Sequence, residues 1–461
     1  MNRRNFLKQA VGLTAVVATA GCLSDQFANA GKSPKKPNIL FIYTDDQGFG
    51  DMGLQQHLFQ VSTPNMDRLA KEGVLFTQGY SSHHCCGPAR SGLLSGRYQQ
   101  RFGVYGNGVG IPTDVKLFGE YFKPMGYSTA MFGKWHQGYA EQFYPTNRGF
   151  DEFFGFLGGW HNYYYDPADC NKLTLSQESL KLPSKYRFCD GENRHAKFEG
   201  YLTNRLADRC VEFVERNKEK PWAAYMAFNA PHWPLQAPDE VVEKYRDIEA
   251  TDKRKTTLAM YEILDSEIGR ILDTLEKTGQ RENTLICFQS DNGGGRYDMD
   301  NSTTMYDLTG YKLVFSEGGL RVPTIMSWKG TLPENVVYKN PIMNFDFLPT
   351  AVAATGGEMN PDFDGVNLLP YLTRKDSTRP HDEMHWGLFP HEGGSVKVNS
   401  WVVRKGDWKL ISGYFLNGLF DLSKDPVERN DLSEKYPEKV KELTTLHDKW
   451  QSENPKPTYE H

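Results

Sequence analysis

Asn38-Ile-Leu-Phe-Ile-Tyr43 is an almost wholly apolar stretch near the start of the chain, and the polar segment Thr44-Asp45-Asp46-Gln47 follows it directly. Because polar and apolar residues do not alternate in it, this stretch predicts a strand that is buried on both faces, as in a parallel sheet. Comparable strands are predicted at 127–132, 222–228 and 284–289.

Helices are predicted between and after these strands, at Pro64–Glu72, Asn204–Arg216, Thr256–Lys277 and Phe345–Ala354. Strands and helices therefore alternate from residue 37 to about residue 357. This alternation predicts an α/β fold with a mainly parallel central sheet that is flanked by helices.

The chain changes character beyond Arg374. Short strands are predicted at 400–404, 408–411 and 419–422, and an amphipathic helix at 436–450. They predict a smaller C-terminal antiparallel sheet plus helix. The expected organisation is an export signal and linker at 1–36, a large α/β domain at 37–374 and a C-terminal α+β subdomain at 375–461.

The N-terminal residues predict export from a bacterial cytoplasm. Arg3-Arg4 precedes the apolar stretch Gln9–Gly21, which is too short to span a bilayer, and the pattern resembles a twin-arginine signal. Two cleavage interpretations stay open. Ala28-Asn29-Ala30 fits an ordinary signal peptidase and a periplasmic product, whereas Ala20-Gly21-Cys22 fits a lipoprotein anchored to the membrane at Cys22. We favour the lipoprotein, because Cys22 lies at the end of the apolar stretch.

Composition excludes several classes of protein. Of 461 residues, 39% are hydrophobic and 24% charged, which is typical of a globular protein and not of a polytopic membrane protein or a disordered chain. The net charge of −5, without a long basic run, argues against a nucleic-acid partner. Cys170 and Cys189 flank a polar stretch, and they either form a disulfide in the exported protein or are both free.

Polar side chains follow four of the predicted strands. In an open parallel sheet, ligands bind beyond the carboxyl ends of the strands. The segments at this edge are Thr44-Asp45-Asp46-Gln47, Gly133-Lys134-Trp135-His136, Asn229-Ala230-Pro231-His232 and Ser290-Asp291-Asn292-Gly293. Any one of them is most simply a polar turn, but four at the same edge predict a functional site.

Two acidic pairs in these segments predict a metal site. Asp45, Asp46, Asp291 and Asn292 offer hard oxygen ligands, which suit Ca²⁺ or Mg²⁺ rather than zinc or copper. Adjacent carboxylates at a buried strand end repel each other, and a cation between them relieves the repulsion. The alternative, that the aspartates merely cap turns, explains two separate acidic pairs less well.

The most specific segment is Cys86-Gly87-Pro88-Ala89-Arg90-Ser91-Gly92-Leu93-Leu94-Ser95-Gly96-Arg97. Pro88 fits the first position of a helix, so Cys86 is expected just before the helix N-terminus, where the dipole favours anions and a thiolate. A soft-metal site at His83-His84-Cys85-Cys86 is a poor alternative, because contiguous residues rarely chelate one ion and no second ligand pair follows at zinc-like spacing.

This segment resembles the signature of the type I, formylglycine-dependent sulfatases of the alkaline phosphatase superfamily. Further motifs of that family follow in order: Asp45-Asp46-Gln47-Gly48, Gly133-Lys134-Trp135-His136, Pro231-His232-Trp233-Pro234, Ser290-Asp291-Asn292-Gly293, Glu317-Gly318-Gly319-Leu320-Arg321-Val322-Pro323 and Gly406-Asp407-Trp408-Lys409-Leu410. Two departures stand out. Ala89 replaces the usual serine, and Tyr311-Lys312-Leu313 lacks the glycines that normally flank this lysine, although its distance to Glu317 matches the family.

The resemblance implies an alkaline phosphatase-like fold and two cofactors. A separate maturation enzyme oxidises Cys86 to formylglycine (3-oxoalanine), whose hydrate attacks sulfur and forms a covalent sulfo-enzyme intermediate. One Ca²⁺ ion is held by the metal ligands Asp45, Asp46, Cys86, Asp291 and Asn292.

The resemblance also implies catalytic roles. Lys134 and Lys312 supply positive charge to the transition state, and Arg90 orients the matured Cys86 side chain and pairs with the metal's carboxylates. His232 donates a proton to the leaving oxygen, and His136 takes the proton from the second hydroxyl. The alternative for His136 and His232 is a purely structural role with hydrogen bonds to neighbours. The alternative for Arg90 is a surface ion pair.

These expectations define three functional hypotheses. The first is an exported sulfatase, a sulfuric ester hydrolase acting on a sulfated polysaccharide or its oligosaccharides. The second is a phosphate or phosphonate ester hydrolase of the same superfamily. The third is a carbohydrate-binding protein in which Cys86 is never matured, although a pure binder has no need of proton donors.

Overall fold

The computed structural model describes residues 36–55, 61–165, 188–295, 308–388 and 399–457. Pro37–His461 forms one compact unit. The predicted export signal and Cys170 lie outside the described residues, so export and the pairing of Cys170 with Cys189 stay predictions. None of the described helices is long and apolar enough to cross a membrane.

Strands and α-helices are numbered in chain order. The strands are β1 Asn38–Thr44, β2 Val74–Phe76, β3 Gly79–Tyr80, β4 Ser128–Lys134, β5 Glu152–Phe156, β6 Phe188–Asp190, β7 Trp222–Ala227, β8 Thr284–Ser290, β9 Thr324–Ser327, β10 Val336–Tyr338, β11 Ile342–Met343, β12 Glu383–Leu388, β13 Ser400–Lys405, β14 Trp408–Ser412 and β15 Asn417–Asp421. The helices are α1 Pro64–Lys71, α2 Cys86–Ser95, α3 Phe118–Phe122, α4 Leu202–Arg216, α5 Asp239–Val242, α6 Asp252–Lys277, α7 Glu317–Leu320, α8 Phe347–Ala354, α9 Leu369–Leu372 and α10 Pro437–Ser452.

The large sheet has the order β10-β2-β9-β8-β1-β7-β4-β5-β6. Its centre is parallel: β1 pairs with both β7 and β8, and β4 pairs with β5 and β7. Antiparallel pairs occur towards the edges, where β9 joins β8 and β2, and β6 joins β5. The predicted mixed α/β fold with a mainly parallel central sheet is confirmed.

Strand β1 shows why the apolar stretch at 38–43 forms the centre of the sheet. All its residues are buried, and successive side chains point to opposite faces of the sheet. Leu40 and Ile42 belong to an apolar layer that includes helices α4 and α6. Ile39 and Phe41 belong to the opposite layer, which includes α3 and α8. Each such side chain contributes about 1.5–3 kcal/mol of burial free energy to folding.

A second sheet, β12-β13-β14-β15, is antiparallel throughout and packs with α10. It confirms the predicted C-terminal sheet plus helix, and β12 is a strand that the sequence patterns did not predict. Lys409 of this sheet is buried between the carboxylates of Glu317 and Glu428, at 2.8 and 2.7 Å. Because both sheets lie in one compact unit, the domain boundary at residue 374 stays a prediction.

Candidate active site

The four strands that the sequence marks as site-bearing are neighbours in the sheet, in the order β8-β1-β7-β4. They are parallel to one another, so their carboxyl ends meet at one edge. Asp45 and Asp46 follow β1, Asp291 and Asn292 follow β8, and Lys134 ends β4. The structure therefore brings these predicted residues together.

Charged side chains from these strands form a closely paired cluster. Lys134 Nζ lies 2.5 Å from Asp45 Oδ2, and Lys312 Nζ lies 2.7 Å from Asp46 Oδ1. Arg90 donates from Nε and Nη2 to Asp291 Oδ2, at 3.1 and 2.8 Å. Three carboxylates thus face three cations, which leaves the cluster formally neutral.

The pKa values of the aspartates differ because their neighbours differ. Burial raises the pKa of Asp45, against the opposing effects of Lys134 and Arg90. Burial and the nearby Asp45 carboxylate raise the pKa of Asp291 to about 7. Burial also opposes ionisation of Asp46, but Lys312 and His232 outweigh it and lower its pKa to about 2. For Asp45 and Asp291, burial therefore outweighs the neighbouring cations, and a further positive charge between them would favour their ionised forms.

Two buried oxygens show where a cation fits. Asp45 Oδ1 and Asn292 Oδ1 have no hydrogen-bond partner among the described residues. Buried acceptors are normally satisfied, because an unmet one costs about 1–3 kcal/mol. Ligand atoms of Asp45, Cys86 and Asp291 also lie within 4.8 Å of one another. A hard divalent cation between these oxygens would satisfy both acceptors, so the donor set fits Ca²⁺ or Mg²⁺.

Cys86 is the first residue of α2, with Cys85 as the cap. The sequence placed Cys86 just before the helix, with Pro88 at its first position; that detail is wrong, because the helix begins two residues earlier. A hydrogen bond with Cys85 lowers the pKa of the Cys86 thiol against the effect of burial, and Lys134 lowers it further. Arg90, one turn into the helix, donates to Asp291 Oδ2, which is one of the predicted metal ligands.

Both predicted histidines line the same site. Burial lowers the pKa of His136, and its Nδ1 has no hydrogen-bond partner among the described residues. His232 Nδ1 lies 2.5 Å from the carbonyl oxygen of Trp233, so Nδ1 carries the proton and Nε2 faces Asp46 Oδ2 at 3.6 Å. Burial and Lys312 lower the pKa of His232 to about 4, so an arriving anion is needed to favour its protonated form.

A cavity of about 300 Å³ opens onto these groups, and its lining residues are Cys86, Asn107, Gly108, His136, Tyr139, Gly159, Trp160, His232 and Lys312. The sequence predicted four of them as site residues. Trp160 brings an aromatic ring to this cavity, and its ring centroid lies 5.2 Å from that of Trp233. Asn107 and Tyr139 were missed, because no motif marks them.

The departure from the family pattern around Lys312 has a visible consequence. Gly310 has a φ of 81° and Leu313 a φ of 73°, so the lysine lies between two left-handed residues. Leucine is strained in that region, at a cost of order 1–3 kcal/mol. Nevertheless, Leu313 donates its backbone N–H to the carbonyl of His84 at 3.0 Å, and Lys312 reaches Asp46. The lysine therefore reaches the site without flanking glycines on both sides.

His385 and Trp386 of β12 do not line this cavity. Trp386 is buried and donates to the carbonyl of Ser81 at 2.8 Å, and His385 lines a separate cavity beside Trp450.

Comparisons with known proteins identify the family. The family model Sulfatase matches residues 37–357, and the model for the C-terminal part of N-sulphoglucosamine sulphohydrolase matches residues 306–454. The chain is 30% identical to the uncharacterized sulfatase YdeN of Escherichia coli (strain K12), over 88% of this chain and 84% of that protein. It is 31% identical to N-acetylgalactosamine-6-sulfatase of Canis lupus familiaris, over 89% of this chain and 84% of the relative.

A solved structure gives the same result. The crystal structure of Ps i-CgsB in complex with k-i-k-neocarrahexaose matches with a TM-score of 0.82 and 32% identity, and the match covers 93% of this chain and 95% of that one. The resemblance inferred from the motifs is therefore confirmed. The chain belongs to the sulfatase family of the alkaline phosphatase-like fold, and it is a sulfuric ester hydrolase.

Proposed function

We propose that this protein hydrolyses sulfate monoesters of a carbohydrate, a sulfated polysaccharide or its oligosaccharides. Two compared proteins point to sugars by name, since one is an N-acetylgalactosamine-6-sulfatase and the other was crystallised with a neocarrahexaose. The observation that carries the proposal is that Cys86, Lys312 and His232 line the same cavity. Trp160 also lines this cavity and brings an aromatic ring to it, which suits a sugar.

One divalent ion belongs to this proposal, and the membership of the sulfatase family favours Ca²⁺ over Mg²⁺. Asp45, Asp46, Asp291 and Asn292 would hold it, together with the oxidised side chain of Cys86. When these groups are in place, the ion neutralises sulfate oxygens, and the hydrated aldehyde of residue 86 supplies the nucleophilic oxygen. Maturation of Cys86 by a separate enzyme, and the covalent route that it implies, are parts of the proposal.

The cationic side chains bind and orient the sulfate group. Lys134 is fully buried beside Asp45, and Lys312 lines the cavity beside Asp46. Because the surrounding carboxylates already balance these charges, a bound divalent cation gives the site an excess of positive charge. That excess suits the single negative charge of a sulfate monoester, whereas a phosphate monoester carries nearly two.

Two histidines move protons in this scheme. His232 lines the cavity with Nε2 3.6 Å from Asp46 Oδ2, and the Trp233 carbonyl fixes its Nδ1–H. The ring is therefore held in one orientation, and in its protonated form it donates from Nε2 to the leaving oxygen. His136 interacts with the Cys86 side chain, and it takes the proton from that residue's second hydroxyl. Each transfer accelerates the reaction by roughly 10²–10⁴-fold. Arg90 holds the Asp291 carboxylate through its Nη2, at 2.8 Å.

We also propose export through the N-terminal signal, with either a periplasmic or a lipid-anchored product. Labelling with a radioactive fatty acid distinguishes them: incorporation that is lost in Cys22→Ala supports the anchor, and a mature N-terminus just beyond Ala30 supports ordinary cleavage.

Activity of the matured protein on a panel of sulfated mono- and oligosaccharides and matched phosphate esters tests the function. We expect release of inorganic sulfate from at least one sugar and far slower release of phosphate. Faster hydrolysis of phosphate or phosphonate esters would favour the phosphohydrolase hypothesis instead. Binding of sulfated sugars without turnover would favour the carbohydrate-binding hypothesis.

A further inference from the structure

The carboxamide of Asn107 links three consecutive residues at the start of helix α2. Its Oδ1 accepts the backbone N–H of Gly87 at 2.9 Å and lies 3.8 Å from Cys86 Sγ. Its Nδ2 donates to Cys85 Sγ at 2.8 Å. Because a backbone N–H can only donate, the Gly87 contact fixes which end of the amide is the oxygen. Asn107 is exposed and lines the active-site cavity, but both ends of its carboxamide are engaged.

This contact replaces an ordinary helix cap. The first N–H groups of a helix lack partners within the helix and usually bond to a serine, threonine or aspartate at the cap. Cys85 occupies the cap of α2 and makes no capping hydrogen bond of its own in the described structure. Asn107, twenty residues further along the chain, supplies the acceptor instead, and it does so directly beside the Cys86 side chain.

Gly87 shows that the fit is close. A Cβ atom added at Gly87 would lie 2.7 Å from Asn107 Oδ1, which is closer than real contacts allow. The absence of a Cβ at Gly87 therefore leaves the space that the Asn107 carboxamide occupies.

We propose that Asn107 is a positioning residue for the reaction, which holds the Cys86 side chain in its productive orientation in the cavity that both residues line. This inference rests on the proposed sulfatase function and extends it. The alternative is that Asn107 only caps α2. The two roles separate in Asn107→Asp, which keeps an oxygen acceptor for the Gly87 N–H, loses the donor to Cys85 and places a negative charge beside Cys86 and the incoming sulfate.

The experiment measures kcat and KM of matured Asn107→Ala and Asn107→Asp on one sulfate ester, with hydrogen exchange of the peptide that contains Gly87. We expect Asn107→Ala to lower kcat about 10-fold or more with a smaller change in KM, because a misplaced reacting group loses its orientation. We expect Asn107→Asp to retain the wild-type protection of the Gly87 amide and still lose turnover to a similar extent. Asn147→Asp, the same change at an exposed residue outside the cavity, should leave both readouts unchanged.

Wild-type turnover in Asn107→Asp would overturn the inference and leave Asn107 as a cap. Gly87→Ala provides a second variant, since its Cβ displaces the carboxamide without altering it, and it should reproduce the kcat loss of Asn107→Ala. Mass spectrometry of the Cys86 peptide is needed for each variant, so that turnover is expressed per matured molecule. Failure of the wild-type protein to release sulfate would contradict the proposed function itself, which is a different outcome.

Discussion

Lys134 Nζ lies 2.5 Å from Asp45 Oδ2, and neither side chain has any accessible surface. Removing two charges from water costs several kcal/mol each, so a buried ion pair is seldom retained for stability alone. Here the pair belongs to a cluster of three carboxylates and three cations at the edge where four parallel strands end. The cluster is formally neutral by itself, so a bound divalent cation would give it a net positive charge. A net positive charge at this edge of the sheet would attract a sulfate group.

Replacing Asp45 should remove the metal. Asp45→Ala removes both the unpaired Oδ1 and the carboxylate partner of Lys134. We therefore expect the variant to bind less metal and to turn over more slowly. Elemental mass spectrometry measures the metal content. Added Ca²⁺ should raise the thermal midpoint of the wild-type protein and have little effect on the variant, because a ligand stabilises only the state that binds it. Asp362→Ala, at an exposed residue, is the matched control. If Asp45→Ala lost all its metal and kept full activity, the metal would have a structural role and no part in the reaction.

His232 should matter most for poor leaving groups. A sugar alkoxide needs a proton when the S–O bond breaks, whereas nitrophenolate leaves without one. We therefore expect His232→Ala to lower kcat on a sulfated sugar by roughly 10²-fold or more and to lower it much less on nitrophenyl sulfate. His195→Ala, at an exposed histidine, should change neither rate. Equal losses on both substrates would mean that His232 only positions the sulfate group.

Lys409 should be critical for stability. It is buried between Glu317 and Glu428, and it is the largest cause that holds the pKa of Glu317 low, so removing it would leave the ionised Glu317 carboxylate without its nearest cation. Lys409→Ala should lower the free energy of unfolding by about 3–5 kcal/mol, as is usual when one partner of a buried pair is lost. Lys405→Ala, which removes an exposed partner of Glu442, should cost less than about 1 kcal/mol in the same denaturant titration. If both variants lost the same small amount of unfolding free energy, Glu317 and Glu428 would have to take up protons at little cost in stability.

Glu428 should make stability depend on pH. Burial raises its pKa to about 7, above the ordinary value of 4.5, so the folded state holds this proton more tightly than the unfolded chain. Its contribution to stability is therefore full below about pH 4.5 and is lost as the pH rises towards 7. Glu428→Gln cannot ionise, so its stability relative to wild type should increase from about pH 5 to about pH 8. A constant difference between the two proteins in urea titrations would contradict this assignment.

The sequence predicted the strands that an unbroken apolar run marks. It missed contacts between segments that lie far apart in the chain. β1 and β8 follow from unbroken apolar runs, and the site residues after them follow from the topology of parallel strands. The start of α2 was misplaced by two residues, since the cap is held by Asn107 from a distant turn rather than by a neighbouring side chain. The left-handed backbone conformation of Leu313 was not predicted either, because leucine rarely adopts a positive φ and its presence does not indicate one.

Maturation of Cys86 is the central claim, and peptide mass spectrometry tests it most directly. The protein would be made with and without a formylglycine-generating enzyme, and the fraction of aldehyde at Cys86 would be compared with the sulfate released from a sulfated sugar per molecule of protein. We expect the aldehyde at Cys86, not at the adjacent Cys85, and activity in proportion to its fraction. Full activity in protein that carries only the Cys86 thiol would contradict the account.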